Sequence, residues 1–530
     1  MKKILALALA AVMVMALVGS AMADSTGSVT ISSPTDGDTG STYSLWKLFD
    51  IVDVGGGVYV YTPVDAYKDS IISAVNTVVG AGTLTSESKD YEIQTAVAGI
   101  SVEATKKQFA DTLYGLVAAI DNDGDIQIAA GSDSASATNA AVPIGYYLFA
   151  ETTVGAYDGG AGVATRPMLY TVTTSGLTQT TKESYPTPEK TVTASEDGSV
   201  EDTDSATAQI GKDVTFQLKT TLPSNFADYN LGYYLQFYDT LSAGLKFKEV
   251  TSVTVDGNAA ITEGDGAYVF NNPTWVDGSA TTLTWTWANI KLDSHAAAGK
   301  DVIITYKATV TGDAVIGDAG NPNTLKIVFS NNPTSDGHGE SKTIEVKVYA
   351  FAVNVNKTND TGTGLAGAEF VLKKGDNFYK YTEGETDDLD TVTWVTTESD
   401  ATVLVSNADG TMHLKTDTSE MPAAVTFKGL PEGTYVLHET QAPEGYNLAP
   451  DVTVTITATA VDPGDTITVE CDGATLNGTT YVATTDIIDR QGTTLPSTGG
   501  IGTTIFYVSG LIMVLGASII LISRRRADAE

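Results

Sequence analysis

The stretch YVLHETQAPEGY, residues 435–446, decides how this chain folds and where its chemistry lies. Its first five residues have the period-two alternation of a half-buried strand. Tyr435, Leu437 and Glu439 share one face, and the bulk of the first two marks that face as buried. A carboxylate there must be neutralised or paired, because burying it alone costs several kcal/mol.

Partners come from two other strands. In FAVNVNK, residues 351–357, Phe351, Val353, Val355 and Lys357 share a face. In YVATTDIID, residues 481–489, so do Tyr481, Ala483, Ile487 and Asp489. One lysine and two acids therefore fall on the inward sides of an early, a middle and a final strand. The arrangement recurs upstream. Lys190 lies on the Val192 side of its segment, Asp239 continues the face of Tyr233, Leu235 and Phe237, and Asn331 continues that of Leu325, Ile327 and Phe329.

Desolvation weakens a lysine's hold on its proton and strengthens a carboxyl's. A deprotonated Lys357 is a nucleophile, and a protonated Glu439 can shuttle protons to Asp489. The expected product is an amide from Lys357 to Asp489 with loss of water. By the same logic Lys190 joins Asn331 with loss of ammonia, assisted by Asp239. By alternation alone, each trio also reads as an ordinary buried ion pair, or as strand-end side chains that reach solvent.

Composition sets the class. The 530 residues carry 30 basic and 65 acidic side chains, a net charge of −35, which excludes nucleic acid as a natural partner. Short strands rich in Thr, Val and Tyr, separated by Gly, Asp and Asn turns, predict a mainly β protein of tandem immunoglobulin-like β-sandwiches. Two amphipathic patterns, Tyr67, Ile71, Val75 and Phe109, Leu113, Val117, predict helical insertions in the N-terminal domain. A single cysteine, Cys471, precludes any intrachain disulfide.

Both ends carry addresses. Residues 1–23 have the charged start, apolar centre and Ala-Met-Ala cleavage site of a secretory signal. Residues 501–522 form an uncharged span long enough to cross a bilayer, and Arg524, Arg525 and Arg526 hold its far end in the cytoplasm. The predicted divisions between these ends are an N-terminal domain at 24–184, a central domain at 185–349 and a third domain at 350–492. The sorting region follows at 493–530.

Leu495, Pro496, Ser497, Thr498 and Gly499, with the apolar span and basic tail behind them, resemble the LPxTG signal of Gram-positive surface proteins. The resemblance implies that a sortase cysteine attacks the carbonyl of Thr498, releasing Gly499 onward, and that an amine then resolves the acyl-enzyme. The span would then cross the membrane only transiently.

FAVNVNKTNDTGTGLAGAEFVL, YVLHETQAPEGY and IIDRQG resemble the Cna B-type domain of pilins and adhesins, with Asp489 where that family usually has Asn. PTPEKTV, FYDTLSAGLKF and GNPNTLKIVFSNNP resemble the central domain of fimbrial backbone subunits. These families imply spontaneous isopeptide bonds, here Lys190–Asn331 and Lys357–Asp489, with Asp239 and Glu439 as proton shuttles. Lys182 resembles the polymerising lysine that related fimbrial proteins place shortly before PTxEK. Thr187 follows Tyr185-Pro186 where that lysine often stands, and Lys190 competes for the role.

The implied protein is a shaft subunit of a covalent, adhesive pilus. Its alternatives are an ancillary tip or basal pilin and a monomeric wall-anchored adhesin. Implied partners are pilus-specific and housekeeping sortases, other copies of the chain, ancillary pilins, peptidoglycan and host surface ligands. No cofactor, metal or turnover of an external substrate is expected, because four histidines and one cysteine give no metal or triad spacing. Two weaker patterns remain. YLFAET places Glu151 as YVLHET places Glu439, with Lys47 as its one candidate lysine. DNDGD, residues 121–125, has calcium-loop character without the glycine and glutamate such a loop needs.

Overall fold

The structure, a computed structural model, describes residues 25–527 except 34–39, 56–57, 129–135, 158, 183, 201–203, 263, 265, 385–388, 420–421, 460–467 and 492–500. The signal peptide and the sorting motif Leu495–Gly499 lie outside the described residues. Three β units follow one another and a helix, Ile501–Ala527, closes the chain. Residues 505–526 of that helix are long and apolar enough to cross a membrane.

In the first unit the strands Thr42–Asp53 and Gly145–Thr153 pair antiparallel in a five-stranded sheet. Both faces of this sheet are covered, so its strands read as nearly continuous apolar runs. Trp46, Leu48 and Leu148 meet the helices Lys68–Val78, Asp90–Ala98 and Glu103–Val117 through Ile71, Val75, Ile93, Phe109 and Leu113. Tyr43, Leu45, Tyr147 and Phe149 meet Val29 and Ile31 of a three-stranded sheet on the other side. The two helical patterns expected from sequence are present. A third helix, Asp90–Ala98, buries only Ile93 fully, and its spacing-four repeat stops after two members, Ile93 and Val97, where the patterns of the other two have three.

The second unit is a sandwich. One sheet holds Glu189–Ser195, Asp213–Thr221, Asp301–Val310 and Leu245–Val255. The facing sheet holds Leu235–Leu241, Thr281–Trp287, Asn321–Ser330 and Ile344–Tyr349. Alternation is strict where one face is dry: Val214, Phe216 and Leu218 point inward, as do Leu235, Phe237, Asp239 and Leu241.

The third unit begins at Phe351, one residue after the second unit's last strand and its Ala350 bridge. Its first strand, Phe351–Asn359, runs parallel to its last, Val482–Asp489, with Lys357 opposite Ile487 and Asn359 opposite Asp489. Gly433–Gln441 lies in the facing sheet, where Phe370 pairs with Glu439.

A short segment of the second unit plugs the open edge of the third. The N–H of Ile210 donates to Gly429 O at 3.1 Å, and its carbonyl accepts from Val392 N at 3.1 Å, linking strands of opposite sheets. Gln209 is fully buried there; its Nε2 donates to Val392 O and its Oε1 accepts from Trp394 Nε1, both at 2.8 Å. Gly429 is required at this joint. Its φ is +74°, and a Cβ would come within 2.4 Å of Ile210 Cδ1.

Candidate self-crosslinking sites

The second unit's interior holds a continuous polar chain. Lys190 and Asp239 come from opposite sheets, their side chains have no exposure, and the ammonium donates to Asp239 Oδ2. Tyr306, in the lysine's sheet, donates its hydroxyl to the other carboxylate oxygen at 2.7 Å. Asn323, in the aspartate's sheet, donates from Nδ2 to that same hydroxyl at 2.6 Å. Asn323 is fully buried and its Oδ1 has no hydrogen-bond partner among the described residues. Phe216 lies 5.6 Å from Lys190 Nζ, so the ammonium faces an aromatic ring rather than water. Burial pushes the lysine below its ordinary proton affinity and the aspartate above its own, and their mutual attraction opposes both shifts.

The acyl partner expected from sequence, Asn331, is not in this chain. The strand Asn321–Ser330 ends before it, and the alternation breaks at Phe329 and Ser330, which are both buried. Extending the period past that point put Asn331 on the wrong face. Its Nδ2 instead donates to Gly162 O at 3.2 Å, and its carbonyl accepts from Ala164 N at 2.7 Å, tying a first-unit loop to the second unit. The same alternation read in the other direction from Leu325 reaches Asn323, which was the available signal. Tyr306 carried a signal too, as an inward tyrosine between Ile304 and Ala308 in a strict alternating strand.

The third unit brings together all three residues expected of it. Lys357 Nζ lies 3.2 Å from Glu439 Oε1 and is also paired with Asp489 Oδ1, and all three side chains are buried. Phe370 lies 5.7 Å from the ammonium. Glu439 keeps its second oxygen on the backbone N–H of Ala449 at 2.6 Å. Burial still raises its proton affinity above the ordinary glutamate range, against the lowering effects of that N–H and of Lys357. The inward carboxylate of YVLHET thus sits beside the buried Lys357.

The first unit repeats the scaffold of this site. Tyr147 donates to Pro143 O and Tyr435 to Pro431 O, each at 2.7 Å across four residues. Glu151 is buried as Glu439 is, and accepts from Thr165 N at 2.7 Å. Lys47 does not join it. It pairs with Asp50 at 2.5 Å, and it stands opposite Tyr147 whereas Glu151 stands opposite Tyr43. In the DNDGD turn Asp123 accepts from Lys47 N at 2.6 Å, and Asp125 from Ser44 at 2.7 Å. Protein donors thus engage these carboxylates, and no metal-ligand cluster occurs among the described residues.

Lys182 is exposed at the end of the first unit. It borders a groove of about 390 Å³ lined by Phe109, Tyr146, Arg166, Met168 and Asp228. Arg166 crosses between the units here, paired with Asp111 on one side and 3.7 Å from Asp228 on the other.

Comparison with known proteins fits this geometry. Residues 210–333 match the Gram-positive pilin backbone subunit 2, Cna-B-like domain. Residues 351–472 match a prealbumin-like fold domain, and residues 491–528 the LPXTG cell wall anchor motif. The chain belongs with the Gram-positive pilins. Its anchor motif, followed by the apolar helix, makes this pilin a cell-wall-anchored surface protein. It is similar to the trypsin-resistant surface T6 protein of Streptococcus pyogenes serotype M6, 26% identical over 426 residues covering 66% of the pilin and 71% of that protein. It is also similar to fimbrial subunit type 2 of Actinomyces naeslundii, 26% identical over 354 residues covering 60% of the pilin and 58% of that subunit. The solved T6 backbone pilin of S. pyogenes serotype M6, described as a modular three-domain structure, shares its fold. The TM-score is 0.50 at 18% identity, covering 89% of this chain and 99% of that one.

Proposed function

We propose that the chain is the shaft subunit of a covalent pilus, hardened by two self-made isopeptide bonds, Lys190–Asn323 and Lys357–Asp489. The observation that carries this reading is the pair of buried lysines, each held by a carboxylate in an aromatic interior: Lys357 pairs directly with Asp489, and Lys190 is linked to the Asn323 amide through Asp239 and Tyr306. An ion pair kept only for stability would be a poor use of such sites, since desolvation offsets most of its attraction.

In the third unit the ammonium of Lys357 gives a proton to Glu439, and the free amine attacks Cγ of Asp489 in its neutral form. The new C–N bond replaces C–O: Glu439 returns its proton to the departing hydroxyl, which leaves as water, and takes up the second amine proton. In the second unit Lys190 loses its proton to Asp239 and attacks Cγ of Asn323, from which ammonia leaves. Dry surroundings and close positioning supply the rate.

Polymerisation then uses exposed Lys182 as the amine that resolves the Thr498 acyl-enzyme of the next subunit, with sortases as partners. Tension entering at Lys182 and leaving at Thr498 crosses from Lys190 to Asn323 and from Lys357 to Asp489. Most strands of both sandwiches are bypassed. The load-bearing chain is reduced to residues 182–190, 323–357 and 489–498.

The test is immunoblotting of cell-wall extracts. A shaft subunit gives a ladder of high-mass species that collapses with Lys182→Ala. One wall-linked band in the wild type would instead favour the monomeric adhesin, and a ladder that survives the substitution would reassign the acceptor lysine.

A further inference from the structure

Tyr306 has no role in a scheme that needs only a lysine, a carboxyl group and an amide, yet it stands between the carboxylate and the amide. Its hydroxyl carries one proton, and that proton is given to Asp239 Oδ1 at 2.7 Å. Toward Asn323 it can therefore only accept, which orients Nδ2 onto the tyrosine at 2.6 Å and turns Oδ1 away. The nitrogen that must leave is thus the atom in contact with the hydroxyl.

We propose, building on the self-crosslinking read above, that Tyr306 is a catalytic residue that relays the proton from Asp239 to the departing Asn323 nitrogen. Lys190 first passes a proton to Asp239, leaving a neutral amine and a neutral acid. The amine attacks Cγ of Asn323 and forms the C–N bond. As the bond from Cγ to Nδ2 breaks, the tyrosine O–H donates to that nitrogen, and the Asp239 carboxyl, rotated so that the oxygen protonated by Lys190 faces the tyrosine, replaces the phenol proton. The second amine proton is shed to the aspartate, and ammonia departs. Atoms and charge balance without any outside reactant: one N–H of the lysine ends on the ammonia.

Amide nitrogen leaves poorly unless it is protonated, so a donor at the leaving atom is where general acid catalysis acts. The tyrosine is held for this task. Its ring packs 5.4 Å from Phe216 and 5.7 Å from Trp285, which fixes the hydroxyl direction. Burial and the neighbouring aspartate keep its phenol well above the ordinary tyrosine range, so it passes protons on without standing as a phenolate. The third unit supplies the contrast. Its leaving group is a carboxyl oxygen, and Lys357 touches both Glu439 and Asp489 directly.

The experiment follows the intact mass of the newly synthesised full extracellular body over time, with Tyr306→Phe beside the wild type. The wild type is expected to lose one ammonia and one water. Tyr306→Phe should lose the water on schedule, and the ammonia about a hundred-fold more slowly or not at all. The third unit thereby serves as a control inside the same molecule. Site-specific difluorotyrosine at position 306 keeps shape and hydroxyl but weakens the phenol's hold on its proton. It should change the rate of ammonia loss, which a packing role would not. Ammonia loss at the wild-type rate in Tyr306→Phe, or an unaltered rate with difluorotyrosine, overturns the relay. A wild type that loses no ammonia would instead overturn the second-unit crosslink itself.

Discussion

Substituting Asn323 by alanine removes the acyl group that the geometry assigns to Lys190. It should restore the mass of one ammonia to the protein. The bond would close a loop of about 130 residues, and chain-entropy reasoning values such a closure at about 5 kcal/mol. Spread over the unfolding entropy of a domain of about 165 residues, that corresponds to a melting point lower by about 14 °C. Asn331→Ala is the matched comparison. It removes only the hydrogen bond from Asn331 Nδ2 to the Gly162 carbonyl and should leave the loss of ammonia unchanged. Intact-mass spectrometry and calorimetry of the two variants give both readings. If Asn331→Ala abolishes the ammonia loss while Asn323→Ala retains it, the assignment drawn from the Tyr306–Asn323 contact is wrong.

Two other expectations concern the third unit and its joint. Glu439→Gln should block the loss of water while leaving the loss of ammonia intact, as read by peptide mapping around Lys357. With the bond prevented and the cation removed by Lys357→Met, Glu439 remains buried with a raised affinity for its proton. The folded state then binds that proton more tightly than the unfolded chain, so this contribution to stability is greatest below the ordinary glutamate pKa of about 4.3 and declines as pH rises through the raised value. Melting temperature should therefore fall between acid and neutral pH in Lys357→Met but not in the double variant with Glu439→Gln; parallel slopes would remove Glu439 as the cause. Gln209→Leu strands the Val392 carbonyl and the Trp394 indole N–H, and should cost about 2 kcal/mol in denaturant titration. A change within error would mean that the joint repacks around the leucine.

The sequence by itself determined a great deal here, because strand alternation is a local property. Tyr435, Leu437 and Glu439 on one face, and Lys357 in line with Val353 and Val355, follow from the period of an extended chain, and all sit inward in the fold. The same rule placed Lys190 and Asp239 correctly. It failed at Asn331, because a period can be extended only as far as the strand that carries it, and the strand ends at Ser330. Which residues lie opposite one another across two sheets is not a local property at all. Asn323 meets Tyr306, and Tyr306 meets Asp239, only because sheets built from distant segments stack face to face. The plugging of the third unit's edge by Gln209 and Ile210 has the same origin. Local side-chain periodicity told which residues turn inward; the packing of one layer on another decided which of them meet.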